Sequence, residues 1–145
     1  MTQLPRILFL CIAFVSLMSF IGCSGDAGDP NLRRSAEELH ASGLQAFEQG
    51  DYQKAFDDLG MAAKGGLNPD LYSEALVYHA VAAVHLNQLD VAQADFEILD
   101  QGATNMDEVL AAKSFWAEKQ GNKAQAKQFM QQAKQIDRQV KSFGG

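Results

Sequence analysis

From Ser35 onward the apolar positions recur at helical spacing, and the recurrence is itself repeated. Leu39, Leu76 and Leu110 stand 37 and 34 residues apart. The small residues Gly43, Ala80 and Ser114 keep the same two intervals, and so do Gly50, Asn87 and Gly121, the residues that turn left-handed most readily. Ala55, Ala92 and Ala126 fall in the same register. Each is followed by Leu59, Phe96 or Met130 four residues on, and then by Ala62, Leu99 or Ala133 three further on. Spacings of three, four and seven place such residues on one face of a helix, and no sustained two-residue alternation competes with them. The pattern predicts an all-α body over residues 35–142, divided into three helical hairpins at about 35–70, 71–106 and 107–142. In each, a first helix closes on a left-handed Gly or Asn, and a second helix begins a few residues later. Small residues on both helices let the backbones approach, and the larger apolar residue fills the remaining space. One hairpin cannot bury its apolar face alone, so neighbours stack. The last helix is predicted from about Lys123 to Ser142 on a stripe of Ala126, Phe129, Met130, Ala133, Ile136 and Val140. Its Gln- and Lys-rich outer faces suit the polar end of such a stack.

Upstream the pattern changes. Met1–Arg6 carries one base and no acid, and Ile7–Ile21 carries no charge at all. About 15 helical residues span roughly 22 Å, short of a hydrocarbon core of about 30 Å. The segment therefore reads as the charged and apolar regions of a secretory signal. It closes on Phe20-Ile21-Gly22-Cys23-Ser24, which resembles the lipobox of bacterial lipoproteins, although Phe20 stands where leucine is commonest. In that family the signal is cut before the cysteine, whose thiol and new amine are acylated. The resemblance thus implies a signal peptide at 1–22, a lipidation site at Cys23, and stable membrane anchoring through two or more acyl chains. With Ser24 in place of aspartate after the cysteine, it implies the outer membrane of a bacterial envelope, facing the periplasm. Under the same reading Cys11 leaves with the signal, and no thiol remains for a disulfide, a metal or thiol catalysis. Residues 23–34, with the small and polar run Ser24–Pro30, then form the lipidated cysteine and a flexible tether.

The body is similar to the tetratricopeptide repeat, a 34-residue helix-turn-helix unit. The segment Gly43-Leu44-Gln45-Ala46-Phe47-Glu48-Gln49-Gly50-Asp51-Tyr52-Gln53-Lys54-Ala55 carries that family's small residue, Ala-Phe pair, Gly-Asp-Tyr turn and packing alanine. The second unit matches through Ala80, Asn87, Leu89, Ala92, Ala94, Asp95 and Phe96, and the third through Ser114, Gly121, Asn122, Ala126 and Ala133. Leucine replaces the family's tryptophan column in all three units, and its closing proline is found once, displaced, as Pro69. The resemblance implies a right-handed α-solenoid of three repeats whose first helices line a concave groove. Unit one would contribute Glu37, His40, Leu44 and Glu48. Unit two would add Glu74, Val77, Tyr78, Val81 and His85, and unit three Glu108, Ala111, Phe115 and Lys119. Some members hold a peptide's C-terminal carboxylate with Lys, Arg and Asn on this surface. The corresponding positions here are His40, Leu44, Val77, Val81, Ala111 and Phe115, so carboxylate capture is not expected. An apolar floor with an acidic rim suits an amphipathic helix or an extended apolar segment with basic flanks.

Composition and charge narrow the function further. The net charge is −6, and the 47% of apolar residues includes the leader. Residues 35–112 hold fourteen acids and two bases, whereas 113–145 hold seven bases and two acids. A chain so charged is not a basic nucleic-acid binder, but its two ends could pair between copies. His79 and His85 are six apart and fall on different helical faces, unsuited to a shared metal. His79 is expected to face the second helix of its own hairpin as a hydrogen-bonded packing residue, and Asp107 and Glu108 to favour a helix N-terminus. No phosphate loop, zinc-protease motif or nucleophile elbow is present. The expectation is therefore a lipid-anchored envelope interaction module, with no catalytic residues, cofactor or metal, that binds an unidentified protein or peptide. The alternative is a structural lipoprotein that self-associates weakly through its acidic and basic ends.

Overall fold

The computed structural model describes residues 30–144. The expected signal peptide at 1–22, the expected lipidation site Cys23 and residues 24–29 of the expected tether lie outside the described residues. Among those described, six α-helices follow one another and no strand occurs: α1 (Pro30–Glu48), α2 (Tyr52–Ala63), α3 (Pro69–His85), α4 (Leu89–Leu99), α5 (Met106–Lys119) and α6 (Lys123–Ile136). No described helix is long and apolar enough to cross a membrane.

Four described residues are left-handed: three stand where the spacing places them, and the fourth, Gly66 after α2, lies outside that register. Gly50, Asn87 and Gly121 have φ of 78°, 60° and 79°. Each closes its helix with the same pair of bonds. Gly50 N–H donates to Phe47 C=O and Asp51 N–H to Ala46 C=O; Asn87 donates to Val84 and Gln88 to Ala83; Gly121 donates to Glu118 and Asn122 to Ala117. This is the Schellman arrangement, which satisfies carbonyls that would otherwise end a helix unpaired. The next helix starts at once. The side chains of Asp51, Asn68 and Asn122 accept from the backbone N–H groups of Lys54, Leu71 and Gln125, capping α2, α3 and α6.

The backbones of successive helices approach closely, α1 with α2, α2 with α3, α3 with α4 and α5 with α6, while α4 and α5 meet more sparsely. Beyond the links between successive helices, only α1 with α3 and α3 with α5 come together. Small residues set the distances. A Cβ on Gly43 would lie 2.6 Å from Leu59 Cγ, and one on Gly65 would lie 2.4 Å from Ala36 Cβ. Ala55, Ala80 and Ala92 are fully buried, and Ser114 Oγ donates to Ala126 C=O at 2.9 Å across the third pair. Helix α3 is the centre. Ser73, Ala75–Val77 and Ala80–Val84 are buried over most of its circumference, leaving a half-buried stripe that carries Glu74, Tyr78 and His85. One apolar cluster joins α3 to α4 and α5 through Leu76, Phe96, Leu99 and Val109, and a second joins it to α1 and α2 through Ala46, Ala55 and Leu59.

Two boundaries differ from the expectation. Pro30–Arg34, read from the sequence as tether, is the first part of α1. Proline suits a first helical position, where its missing N–H would have no partner, and Arg34 reaches Glu38 one turn on at 3.4 Å. At the other end α6 stops at Ile136, six residues before Ser142. Asp137 takes an extended conformation, its carboxylate accepts from Gln139 N–H at 2.8 Å, and its C=O accepts from Val140 N–H at 3.3 Å. This turn competes with the helix in the way short acidic side chains do. It sends residues 141–144 back over the helices instead of onward into solvent.

Candidate functional site

The first helices of all three pairs supply one cluster of aromatic rings. Phe47 on α1 meets Tyr78 on α3 edge to face, with ring centroids 5.0 Å apart. Tyr52, the first residue of α2, meets Phe47 at 5.4 Å and stacks flat on His85 of α3 at 3.7 Å. His85 in turn meets Phe115 of α5 at 4.8 Å, and Lys119 Nζ lies 5.1 Å above the Phe115 ring. Edge-to-face and offset geometries of this kind add attraction beyond the area buried, and the lysine adds a cation–π contact.

The returning tail lies on this cluster. Phe143 packs edge to face on Tyr78 at 5.5 Å and on Phe47 at 6.4 Å. It stands between two clefts. The first, about 600 Å³, is walled by Leu44, Phe47, Glu48 and Tyr78, by Asp107 and Glu108 at the start of α5, and by the tail from Asp137 to Phe143. The second, about 650 Å³, lies between α5 and α6 on a floor that includes Phe115, Ala126 and Met130, and Lys123, Lys127 and Lys134 edge it. The tail thus separates an acidic cleft from a lysine-edged one.

The titrating groups register this division. Burial raises the Tyr78 hydroxyl, and the carboxylates of Glu108, Glu74 and Glu48 push it further. Burial also raises Glu108; Asp107 and Glu74 add to the shift, while the Asn105 amide, which donates to Glu108 at 2.8 Å, opposes it. On the other side His85 is lowered by burial and by Lys119.

The expected groove residues divide into several groups. Leu44, Glu48 and Tyr78 line the acidic cleft, and Glu108 joins them. His85 and Lys119 lie at the edge of the ring cluster. Phe115 and Ala111, expected in the groove, are a correction: α5 turns both into the core against α3, where Phe115 keeps 5% of its surface and Ala111 none, although both border the lysine-edged cleft. Glu74 borders a smaller cleft of about 390 Å³ with Asp70, Asn105 and Asp107, and its Oε2 lies 3.1 Å from Nε2 of buried His40, out of line for a hydrogen bond. Val77 and Val81 are a correction. Both are fully buried in the core, because α5 packs directly against α3 and covers that stripe. Glu37 is exposed on α1 and lies outside the walls of the cleft beside the tail. Sequence reasoning missed Phe47 and Tyr52 as surface residues and missed the tail altogether. Phe47 stands three residues after Leu44, on the same helical face.

The remaining polar clusters hold the hairpins together. His79 Nδ1 lies 2.6 Å from Asp95 Oδ2 on α4, with Phe56 of α2 stacked on its ring at 4.2 Å, the packing role its position implied. Lys54 pairs with buried Asp58, which also accepts from Ser42 Oγ at 2.7 Å. Asp107 and Glu108 occupy the first turn of α5, as expected. No cluster of three or more His, Cys, Asp and Glu among the described residues is placed to hold a metal. No protein-family model, curated protein or solved structure matches the chain.

Proposed function

We propose that the chain is a lipid-anchored module of a bacterial envelope that holds a partner protein through the concave side of a short, right-handed α-solenoid of three tetratricopeptide-like units. One observation carries the reading. A cluster of aromatic rings runs from α1 and α2 across α3 to the core face of α5, flanked by carboxylates, and its half-buried Phe47 and Tyr78 accommodate an aromatic side chain from an irregular segment, the chain's own residues 141–144. Three further features support the solenoid. The left-handed closures recur at Gly50, Asn87 and Gly121, the small interface positions Gly43, Ala80 and Ser114 recur in the same register, and backbone contact is confined to sequential helices and the alternate pairs α1–α3 and α3–α5. The lipid at Cys23 would fix position, and the groove would supply specificity. Charge reversal at the rim, Glu48→Lys with Glu108→Lys, leaves the core intact and tests the groove. Recovery of partners by cross-linking and mass spectrometry falls about tenfold, the size expected when about 1.4 kcal/mol of interface energy is lost. Undiminished recovery would remove the groove from consideration. Cys23→Ser releases the body into the soluble fraction, and a body that still sediments with membranes would refute lipid anchoring.

A further inference from the structure

We propose that residues 137–144 are a built-in occupant of the groove, displaced by a partner segment of the same chemistry: a basic residue two positions before an aromatic one, followed by glycine. This rests on the groove reading above and extends it to what the groove recognises and how access is controlled.

Three observations specify the occupant. Phe143 docks on Phe47 and Tyr78, rings contributed by the first two helix pairs. Lys141, two residues before it, is an exposed base on the tail side of the cleft whose helical walls carry Glu48, Asp107 and Glu108, close enough for charge attraction without a direct ion pair. Gly144, one residue after it, runs close to α5. A Cβ there would come 2.9 Å from the movable end of exposed Glu118 and 3.0 Å from Phe115 Cδ2, so the tightest fixed neighbour is the Phe115 ring. The aromatic side chain thus has a docked site, the base before it stands beside an acidic cleft, and the glycine after it keeps the backbone close to the Phe115 ring.

The segment is also arranged for release. It leaves α6 through the Asp137–Val140 turn, with Asp137, Arg138 and Gln139 exposed. Beyond that turn Ser142 Oγ donates to Gly144 C=O at 2.9 Å, a bond internal to the tail that can travel with it. A ligand joined to its site by so short a link acts at an effective concentration of about millimolar. A competing segment in solution therefore binds more weakly by the fraction of time the groove is open.

The test uses the full chain in detergent micelles and a fluorescein-labelled peptide with the sequence of residues 136–144, read by anisotropy. Phe143→Ala and Gly144→Leu each open the groove, one by deleting the anchor and the other by crowding the Phe115 ring. Both variants bind the peptide at least tenfold more tightly than the parent chain. The peptide with alanine in place of its phenylalanine binds none of them, and reversing its lysine to glutamate weakens binding to the opened chains. Thermal melts of the two variants verify that the helices persist, and the two lesions are chemically distinct. Equal affinity for parent and opened chains, or no binding to either opened chain, would overturn the proposal. So would a concentration-dependent dimer of the parent chain that Phe143→Ala abolishes in sedimentation, because the tail would then be exchanged between copies. The two readings fail separately. No peptide binding together with rim-dependent partner recovery removes only the displaceable tail. Peptide binding together with recovery indifferent to the rim removes only the envelope-partner role.

Discussion

Gly43→Ala sets two physical effects of opposite sign against each other at one position. Gly43 lies inside α1, where alanine is the better helix former by about 0.8–1.0 kcal/mol. On local propensity alone the substitution stabilises. The packing predicts the reverse. The new methyl would sit 2.6 Å from Leu59 Cγ and 3.2 Å from the Leu59 backbone nitrogen, against a comfortable carbon–carbon separation of about 3.5–4.0 Å. Leu59 has no exposed surface into which it can withdraw, and its backbone is held within α2. Overpacking of this kind costs about 1–3 kcal/mol; with a backbone atom among the close neighbours the upper half of that range applies. Subtracting the propensity gain leaves a net destabilisation of about 1–2 kcal/mol. For a domain of this size that lowers the midpoint of thermal unfolding by about 3–10 °C. Urea denaturation followed by circular dichroism at 222 nm measures the free energy, and a double-mutant cycle isolates the cause. Leu59→Ala alone costs about 2–5 kcal/mol, but in its presence Gly43→Ala becomes neutral or stabilising, with a coupling of 1 kcal/mol or more. A Gly43→Ala protein more stable than the parent would refute the close approach of α1 and α2, and with it the reason for small residues at this column.

The other predictions address charge and turns. Asp58 is pushed upward by burial, but the hydrogen bonds from Lys54 and Ser42 and the Lys54 charge prevail and hold it below its ordinary value of 3.8. A depressed carboxylate stabilises the fold above that value and loses its contribution as pH falls through the folded value. Asp58→Asn therefore costs about 1–2 kcal/mol at pH 7, discounted for the half-exposed Lys54, and the gap to the parent closes as urea titrations are taken down to pH 3. His85 titrates below 6.5, so its stabilising effect is complete above that pH and fades as pH falls through the folded value. Lys119→Ala moves the His85 ring resonances toward the ordinary midpoint in an NMR titration, and an unmoved midpoint would dissociate the lysine from the ring. Gly121→Ala meets no atom within 4 Å, so its cost of about 1–2 kcal/mol is that of holding a side-chain-bearing residue left-handed, readable as a shift in the urea midpoint without a change in slope.

The helix pairs were legible because their determinants are local and repeated. A left-handed residue, a cap and a small residue at a fixed interval each act within one hairpin, and the register of Gly50, Asn87 and Gly121 exposed all three turns. Their depth in the fold was less legible. Val77 and Val81 lie on the same stripe of α3 as Tyr78 and His85 by sequence spacing, yet only contact with α5 decides which of them remains at the surface. Phe47 and Tyr52 likewise read as packing residues of one unit, and become part of a shared cluster of rings only when His85 and Phe115 are brought beside them from the next two. Site residues depend on how units are stacked, whereas turns do not.

The tail shows the same dependence in energetic form. Val140 continues the apolar stripe of α6, and extending the helix from Ile136 to Ser142 would satisfy that spacing. Propagating a helix by one residue is close to neutral in free energy, so a few more exposed turns of α6 have little to favour them. Turning back at Asp137 gives up those residues, but it places Phe143 against two aromatic rings, a contact type that contributes about 0.5–1.5 kcal/mol beyond the apolar area buried. It also brings Lys141 to an acidic wall. The rings that Phe143 meets lie 65 and 96 residues before it, and the acidic wall lies 33 or more residues before Lys141, so no local pattern could have announced the reversal. The difference between the two conformations is small for the same reason: only a few half-exposed contacts separate them. That modest gap is what a displaceable occupant requires, because a segment buried as deeply as Leu59 or Val81 could not be displaced by a partner of comparable chemistry.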